Sequence, residues 1–222
     1  MREIVLDTET TGLNPKNGDR IVEIGCIELV NHVATGNHYH QYINPERPMP
    51  QEAFAIHGLG DDFLADQPVM ADVMNEFLEF IDNATLVIHN AEFDMRFINA
   101  ELDWLGLEPL PMTRAVDTVR MAREKYPGAA ANLDALCRRF EIDNSTRSLH
   151  GALLDSELLA EVYLELIGSR QPDFALADEI DAVVTAVNET QRRDPRPHEP
   201  TAAERTAHGK FLNDISEPIW NS

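Results

Sequence analysis

Basic residues are scarce: 18 Lys and Arg stand against 39 Asp and Glu, a formal net charge of −21 over 222 residues. A chain this acidic does not hold a polyphosphate backbone by bulk charge, which excludes a conventional basic-patch DNA binder. Nucleic acid as a substrate stays open, because bound cations invert the local sign of a cleft. Cysteine is nearly absent. Cys26 and Cys137 lie in separate apolar-periodic segments and belong to neither a CxxC pair nor a zinc spacing, the pattern of reduced core thiols in a reducing cytosol. No apolar run approaches the roughly 18 residues of a membrane span, and Met1 leads straight into Ile4-Val5-Leu6 with no secretory h-region. The expectation is a cytoplasmic protein with no membrane partner. Repeats and low-complexity tracts are also missing. What remains is globular composition, 43% apolar and 26% charged, at a length that allows one compact domain plus an appendage.

The apolar pattern divides that domain into elements. Residues 1 to 6 form a buried strand ending at Asp7; Arg20 to Leu29 alternates as a strand, and His38 to Ile43 pairs with it as a hairpin. Val69, Val73, Phe77 and Ile81 space a helix over 69–81, and Thr85 to His89 is a second buried strand. A helix of about fifteen residues follows from Ala91, with Asn90 as its N-cap. Ala115 to Asp117 is a brief strand, then helices run to Tyr126, from Asn132 to Phe140, and from Ala152 to Ile167. Three meandering strands followed by alternating helices and strands predict a mixed sheet with helices on its faces, an α/β or α+β layer architecture.

Three placements break the apolar pattern. Ala152, Asp155, Leu159, Val162 and Leu166 form one core-facing stripe, and Asp94, Ile98, Leu102 and Leu105 form another. Asp7 and Glu9 share a strand face with Val5. Any one of these carboxylates has an ordinary reading, as a helix-dipole or turn residue. Together they are harder to dismiss, since a carboxylate aimed at a core must be paired or metal-bound, and too few Lys or Arg are interleaved to neutralise them all. Clustered hard oxygen ligands select Mg²⁺ or Mn²⁺ over zinc. Among eight histidines, His150 stands in the loop just before the helix bearing Asp155, where an imidazole titrating near neutrality suits a general base. His57 and His89 are weaker candidates, His89 closing a buried strand.

Asp7-Thr8-Glu9-Thr10-Thr11-Gly12, His89-Asn90-Ala91-Glu92-Phe93-Asp94 and His150-Gly151-Ala152-Leu153-Leu154-Asp155 resemble, in order and spacing, the three exonuclease motifs of the DEDDh group. Ile56-His57-Gly58-Leu59, Asn132-Leu133-Asp134-Ala135-Leu136-Cys137 and Glu141-Ile142-Asp143-Asn144-Ser145 are similar to the proofreading epsilon subunits of bacterial DNA polymerase III, over roughly residues 2 to 168. The resemblance implies an RNase H-like fold with a mixed five-stranded sheet, two Mg²⁺ or Mn²⁺ ions per active site, and 3′→5′ removal of mispaired terminal nucleotides as 5′-monophosphates. By the same likeness Asp7, Glu9, Asp94 and Asp155 are metal ligands. His150 is then the base, and Thr10, Thr11, Gly12, His57, Asn90 and Phe93 hold the terminal nucleotide.

The chain changes character after Gly168. Leu176, Ile180, Val183, Val184 and Val187 keep helical spacing; Asn188 to Thr201 is polar with Pro195, Pro197 and Pro200; and Phe211, Leu212, Ile215, Ile219 and Trp220 gather apolar surface in a tail too short for a core of its own. This divides the chain into an exonuclease domain at 1–169, a linker with a possible short helix at 170–201, and a tail at 202–222. The resemblance implies that the tail binds a polymerase catalytic subunit and that a small accessory subunit attaches. It also implies that Gln171-Pro172-Asp173-Phe174-Ala175-Leu176, a loose match, contacts a sliding clamp. Two other readings stand beside proofreading: a DEDDh exoribonuclease trimming short RNA, disfavoured by the tail, and a catalytically silent polymerase adaptor, disfavoured by the survival of all five motif residues.

Overall fold

The computed structural model describes residues 1–145, 149–168 and 199–214. The strand β1 (Arg2–Thr10) is followed by β2 (Ile21–Val30) and β3 (Val33–Tyr42), then by helices α1 (Gln51–His57), α2 (Asp61–Leu64) and α3 (Met70–Ile81). Strand β4 (Thr85–Ile88), helix α4 (Ala91–Trp104), strand β5 (Ala115–Asp117) and helices α5 (Thr118–Lys125), α6 (Leu133–Phe140) and α7 (Ala152–Leu166) complete the sheet and its cover. The strands make one mixed five-stranded sheet in the order β3-β2-β1-β4-β5. β1 pairs antiparallel with β2 and parallel with β4. The chain therefore leaves β1 first to one side and later to the other, and the carboxyl end of β1 is a topological switch point, where open α/β sheets place their ligands.

Side-chain alternation splits β1 between two cores. Ile4 and Leu6 join Met70, Phe77, Phe97 and Ile98 beneath α3 and α4, whereas Val5 joins Leu136, Cys137, Leu159 and Val162 beneath α6 and α7. Both cysteines are free and buried, and burial together with Asp7 raises the Cys26 thiol well above its usual range, so it is an inert core group. The stripe Ala152, Asp155, Leu159, Val162, Leu166 is buried throughout. In α4 the stripe holds through Leu102, but Leu105 is 36% exposed; it stands one residue past the helix end, where the 3.6-residue period no longer governs direction.

Several boundaries shift for identifiable reasons. β1 continues past Asp7 to Thr10 because Asp7, Thr8 and Glu9 keep pairing with Gly25, Ile24 and Glu23 until a bulge after Glu9. β3 begins at Val33 rather than His38; its first six residues are all exposed and carry no alternation. Asn90 is not a side-chain N-cap. It holds φ 67°, ψ 56°, a left-handed conformation that asparagine tolerates, and its backbone N–H donates instead to Asp117 Oδ1 at 3.2 Å. The short helices α1 and α2 carry no apolar stripe long enough to signal them.

By itself, the C-terminal unit contains helix α8 (Ala202–Asn213), opened by a capping box in which Thr201 and Glu204 exchange side-chain and backbone hydrogen bonds. None of its residues is buried, and Phe211 is 61% exposed. The expected helix over 176–187, the segment Gln171–Leu176, most of the linker, and Ile215, Ile219 and Trp220 of the tail lie outside the described residues.

Candidate active site

Glu9 at the end of β1, His150 before α7 and Asp155 in its first turn place one ligand atom each within 4.8 Å of one another. His150 Nδ1 is 3.2 Å from Asp155 Oδ2, with the imidazole 48% exposed and the carboxylate 5%. Asp94, in the first turn of α4, is 3% exposed and accepts a 2.7 Å hydrogen bond from the Thr8 hydroxyl. Asp7, half-buried, lines the same cleft as Thr8, Glu9, Asp94, His150 and Asp155, in a volume of about 260 Å³. β1, α4 and α7 thus deliver all five expected residues to one cleft at the switch point. Glu9, His150 and Asp155 form the tightest set.

The electrostatics follow from that crowding. Desolvation first, then the neighbouring charges of Asp94, Glu9, Asp155 and Glu23, hold the Asp7 carboxyl well above the usual carboxylate range. Burial pushes Asp94 up to about 7 against the lowering pull of Thr8. The four expected carboxylates, with Asp134 also on the cleft wall, fit a hard divalent cation.

The expected nucleotide-holding residues divide between two neighbouring hollows. Thr10, Thr11, Gly12, His57 and Phe93 line a second cavity of about 470 Å³, and Phe93 also walls the carboxylate cleft. Within it the Thr10 hydroxyl donates to the Gly12 carbonyl at 2.6 Å, and the Thr11 hydroxyl accepts from the Arg20 N–H at 3.0 Å; both are turn struts as well as lining. His57 is 5% exposed. Its Nδ1 accepts from the Leu59 N–H at 3.0 Å, so the ring proton belongs on Nε2, which is buried beside the Thr10 backbone with no well-formed hydrogen bond among the described residues. Burial also lowers the His57 pKa, keeping the ring neutral. Asn90 does not join this group. It opens on a third groove with Arg120, Arg123 and Asn132, which meets the carboxylate cleft through His89 and Asn132.

Four further side chains, Thr8, Glu23, His40 and Asp134, support the site. Thr8 orients Asp94. Glu23 lies directly opposite Glu9 on β2, a like-charge pair that costs stability unless one partner is engaged; His40 Nε2 sits 2.7 Å from Glu23 Oε1. Asp134 lines the cleft at the head of α6. None interrupts an apolar stripe, so only strand register and tertiary packing reveal them.

Residues 4–163 match the family model described as "Exonuclease" (RNase_T). The DNA polymerase III subunit epsilon of Rickettsia prowazekii is 50% identical over 222 residues, with 97% of each chain covered. That of Escherichia coli K12 is 49% identical over 177 residues, covering 76% of this chain and 72% of the relative. Among solved structures, exonuclease X in complex with 5′ overhanging duplex DNA aligns at a TM-score of 0.59 and 26% identity, covering 75% of this chain and 92% of that one. The nuclease domain of 3′hExo, a DEDDh family member bound to rAMP, shares the fold at a TM-score of 0.66 and 17% identity, over 76% and 92%. The chain therefore belongs to the exonuclease family, and within it to the DNA polymerase III epsilon subunits, the metal-dependent 3′→5′ exonucleases of proofreading.

Proposed function

We propose that the cleft hydrolyses the last phosphodiester of a DNA 3′ end and releases a nucleoside 5′-monophosphate, with Asp7, Glu9, Asp94 and Asp155 holding two Mg²⁺ or Mn²⁺ ions. One observation carries this: the carboxylates of Asp7, Glu9, Asp94, Asp134 and Asp155 line one cleft of about 260 Å³ with the imidazoles of His89 and His150, and cations relieve the carboxylates' mutual repulsion. When bound, such a pair of ions stabilises the attacking and leaving oxygens of an in-line displacement. The chain's own groups do the rest. Donation from His150 Nδ1 to Asp155 makes Nε2 the basic ring nitrogen, and from its half-exposed loop position it takes the proton of the attacking water, worth about 10² to 10⁴ in rate. Thr8 keeps Asp94 turned into the cleft.

The terminal nucleotide occupies the second cavity, with Phe93 available to stack on the base and the buried, neutral His57 forming part of the wall. Thr10, Thr11 and Gly12 shape the wall around it. Asn90, beside Arg120 and Arg123, serves the strand upstream of that nucleotide.

The acidic surface limits unassisted binding to duplex DNA, so ends arrive by tethering. By likeness to relatives named as polymerase subunits, residues 202–222 bind a polymerase catalytic subunit and residues 170–201 link them to the domain at 1–169. Gln171–Leu176 supplies a clamp contact, and a small accessory subunit completes the set. A short flexible linker gives local concentrations of order mM without a basic patch, and a mispaired end is favoured because it costs less to unstack. Single-turnover digestion of a 3′-labelled primer in Mg²⁺ tests the ligand assignment. Asp155→Ala loses at least about 10² in rate, an effect of the size expected when transition-state charge stabilisation is removed; a near-normal rate refutes it.

A further inference from the structure

Asp155 and His150 reach the cleft because α7 lies unusually close to the sheet, and that approach runs through Gly25. On β2, Gly25 sits directly opposite Asp7. A Cβ added there would come within 2.3 Å of the Ala152 carbonyl carbon and of the Leu153 nitrogen. Both are backbone atoms of the first turn of α7, so no side-chain rotation makes room and the helix itself would have to lift. Asp155 belongs to that turn, and His150 precedes it by two residues. The height of α7 over Gly25 therefore also sets the distance from Asp155 and His150 to Glu9 and Asp7. A second contact fixes the same height: the Ser156 hydroxyl, fully buried, donates to the Gly25 carbonyl at 2.9 Å. Two turns further on, the Tyr163 hydroxyl donates to Glu3 Oε1 at 2.6 Å, pinning the rest of α7 to β1 independently of the cleft.

We propose that Gly25 and Ser156 are positioning residues of the reaction centre, a latch that seats the first turn of α7 where the Asp155 carboxylate and the His150 imidazole converge with Glu9. Neither touches substrate. Their effect passes through Asp155 and His150, as partners behind a metal ligand act, where loss typically costs about 10- to 100-fold in metal affinity or activity. The inference rests on the reading of Asp7, Glu9 and Asp155 as ligands. Trimming Ala152 to glycine would not relieve Gly25→Ala, because the clash is with backbone.

The test compares the full-length chain with Ser156→Ala, Gly25→Ala and Tyr163→Phe. Mn²⁺ binding is followed by calorimetric titration, melting temperature is measured in EDTA, and kcat and KM are measured on a single-stranded oligonucleotide. Ser156→Ala and Gly25→Ala weaken Mn²⁺ binding about 10-fold or more and lower kcat with KM unchanged. Tyr163→Phe, which removes a buried hydroxyl bond from the far end of the same helix, lowers the melting temperature but leaves Mn²⁺ binding within about twofold of the parent. Ser156→Ala adds no bulk and carries the test alone if Gly25→Ala does not fold. Parental Mn²⁺ affinity in a folded Ser156→Ala, or an equal loss in Tyr163→Phe, overturns the latch. A parent chain that takes up no Mn²⁺ overturns the ligand reading instead, and the latch with it.

Discussion

At Asp94 two forces oppose each other and burial wins, so a carboxyl with an ordinary pKa of 3.8 titrates near 7, despite the hydrogen bond from Thr8. Asp7 is displaced in the same direction. Because the folded-state values are raised, the folded chain binds more protons than the unfolded one between about pH 4 and 7. The metal-free fold is thus most stable, as far as these groups are concerned, below the unfolded value, and loses that stability as pH rises through the folded one. Glu28 works in the opposite sense. Held down to about 2 by Thr35, Arg2 and Asn37, it loses its contribution only as pH falls below its ordinary value. Above pH 5 the cleft acids are opposed by His57, whose lowered pKa makes stability rise with pH up to about 6.5, so the fall from pH 6.5 to 8 reports on the cleft. In EDTA the melting temperature should fall from pH 6.5 to pH 8, and Mg²⁺ should restore it at pH 8; a flat profile with no Mg²⁺ response contradicts the electrostatic account. The acids behind this effect were visible in the sequence because each replaced a hydrophobe in a stripe. Glu23, Thr8 and Ser156 were not visible, since each occupies a position where a polar residue breaks no pattern, and its partner lies across the sheet or on another element.

Among the elements, α3, α4 and α7 were legible because one face of each is buried against the sheet, which forces the 3.6-residue period into the sequence. The first half of β3 is exposed and left no such record. Helix α8 was missed for a related reason, as it buries nothing; its only sequence mark was Thr201 three residues before Glu204, the capping-box spacing. A helix of twelve residues with no buried face is marginal in water on its own, which suits a segment completed by a partner. If residues 202–222 are the tether, a chain ending at Asn188 should still release mononucleotides from single-stranded DNA at the parental rate but no longer co-purify with the polymerase catalytic subunit. Retained co-purification would assign the tether to another surface.

Over the whole molecule, charge and topology point to the same place. The chain carries 39 acidic residues, and the fold gathers five of them, Asp7, Glu9, Asp94, Asp134 and Asp155, in the cleft at the carboxyl end of its central strand. An acidic protein acting on DNA is consistent once the cleft binds cations and the ends are delivered by a tether. Motif order was enough to anticipate the fold and the carboxylate cleft, because the motifs mark where β1, α4 and α7 meet. The separation of Asn90 from the other nucleotide-holding candidates was not, since it depends on a single left-handed backbone position turning that side chain to the next groove. The most direct measurement is an anomalous-difference map from crystals of the full chain soaked in Mn²⁺. Peaks coordinated by the carboxylate oxygens of Asp7, Glu9 and Asp155 are predicted; those oxygens turned away from one another, with no peak between them, would contradict the account.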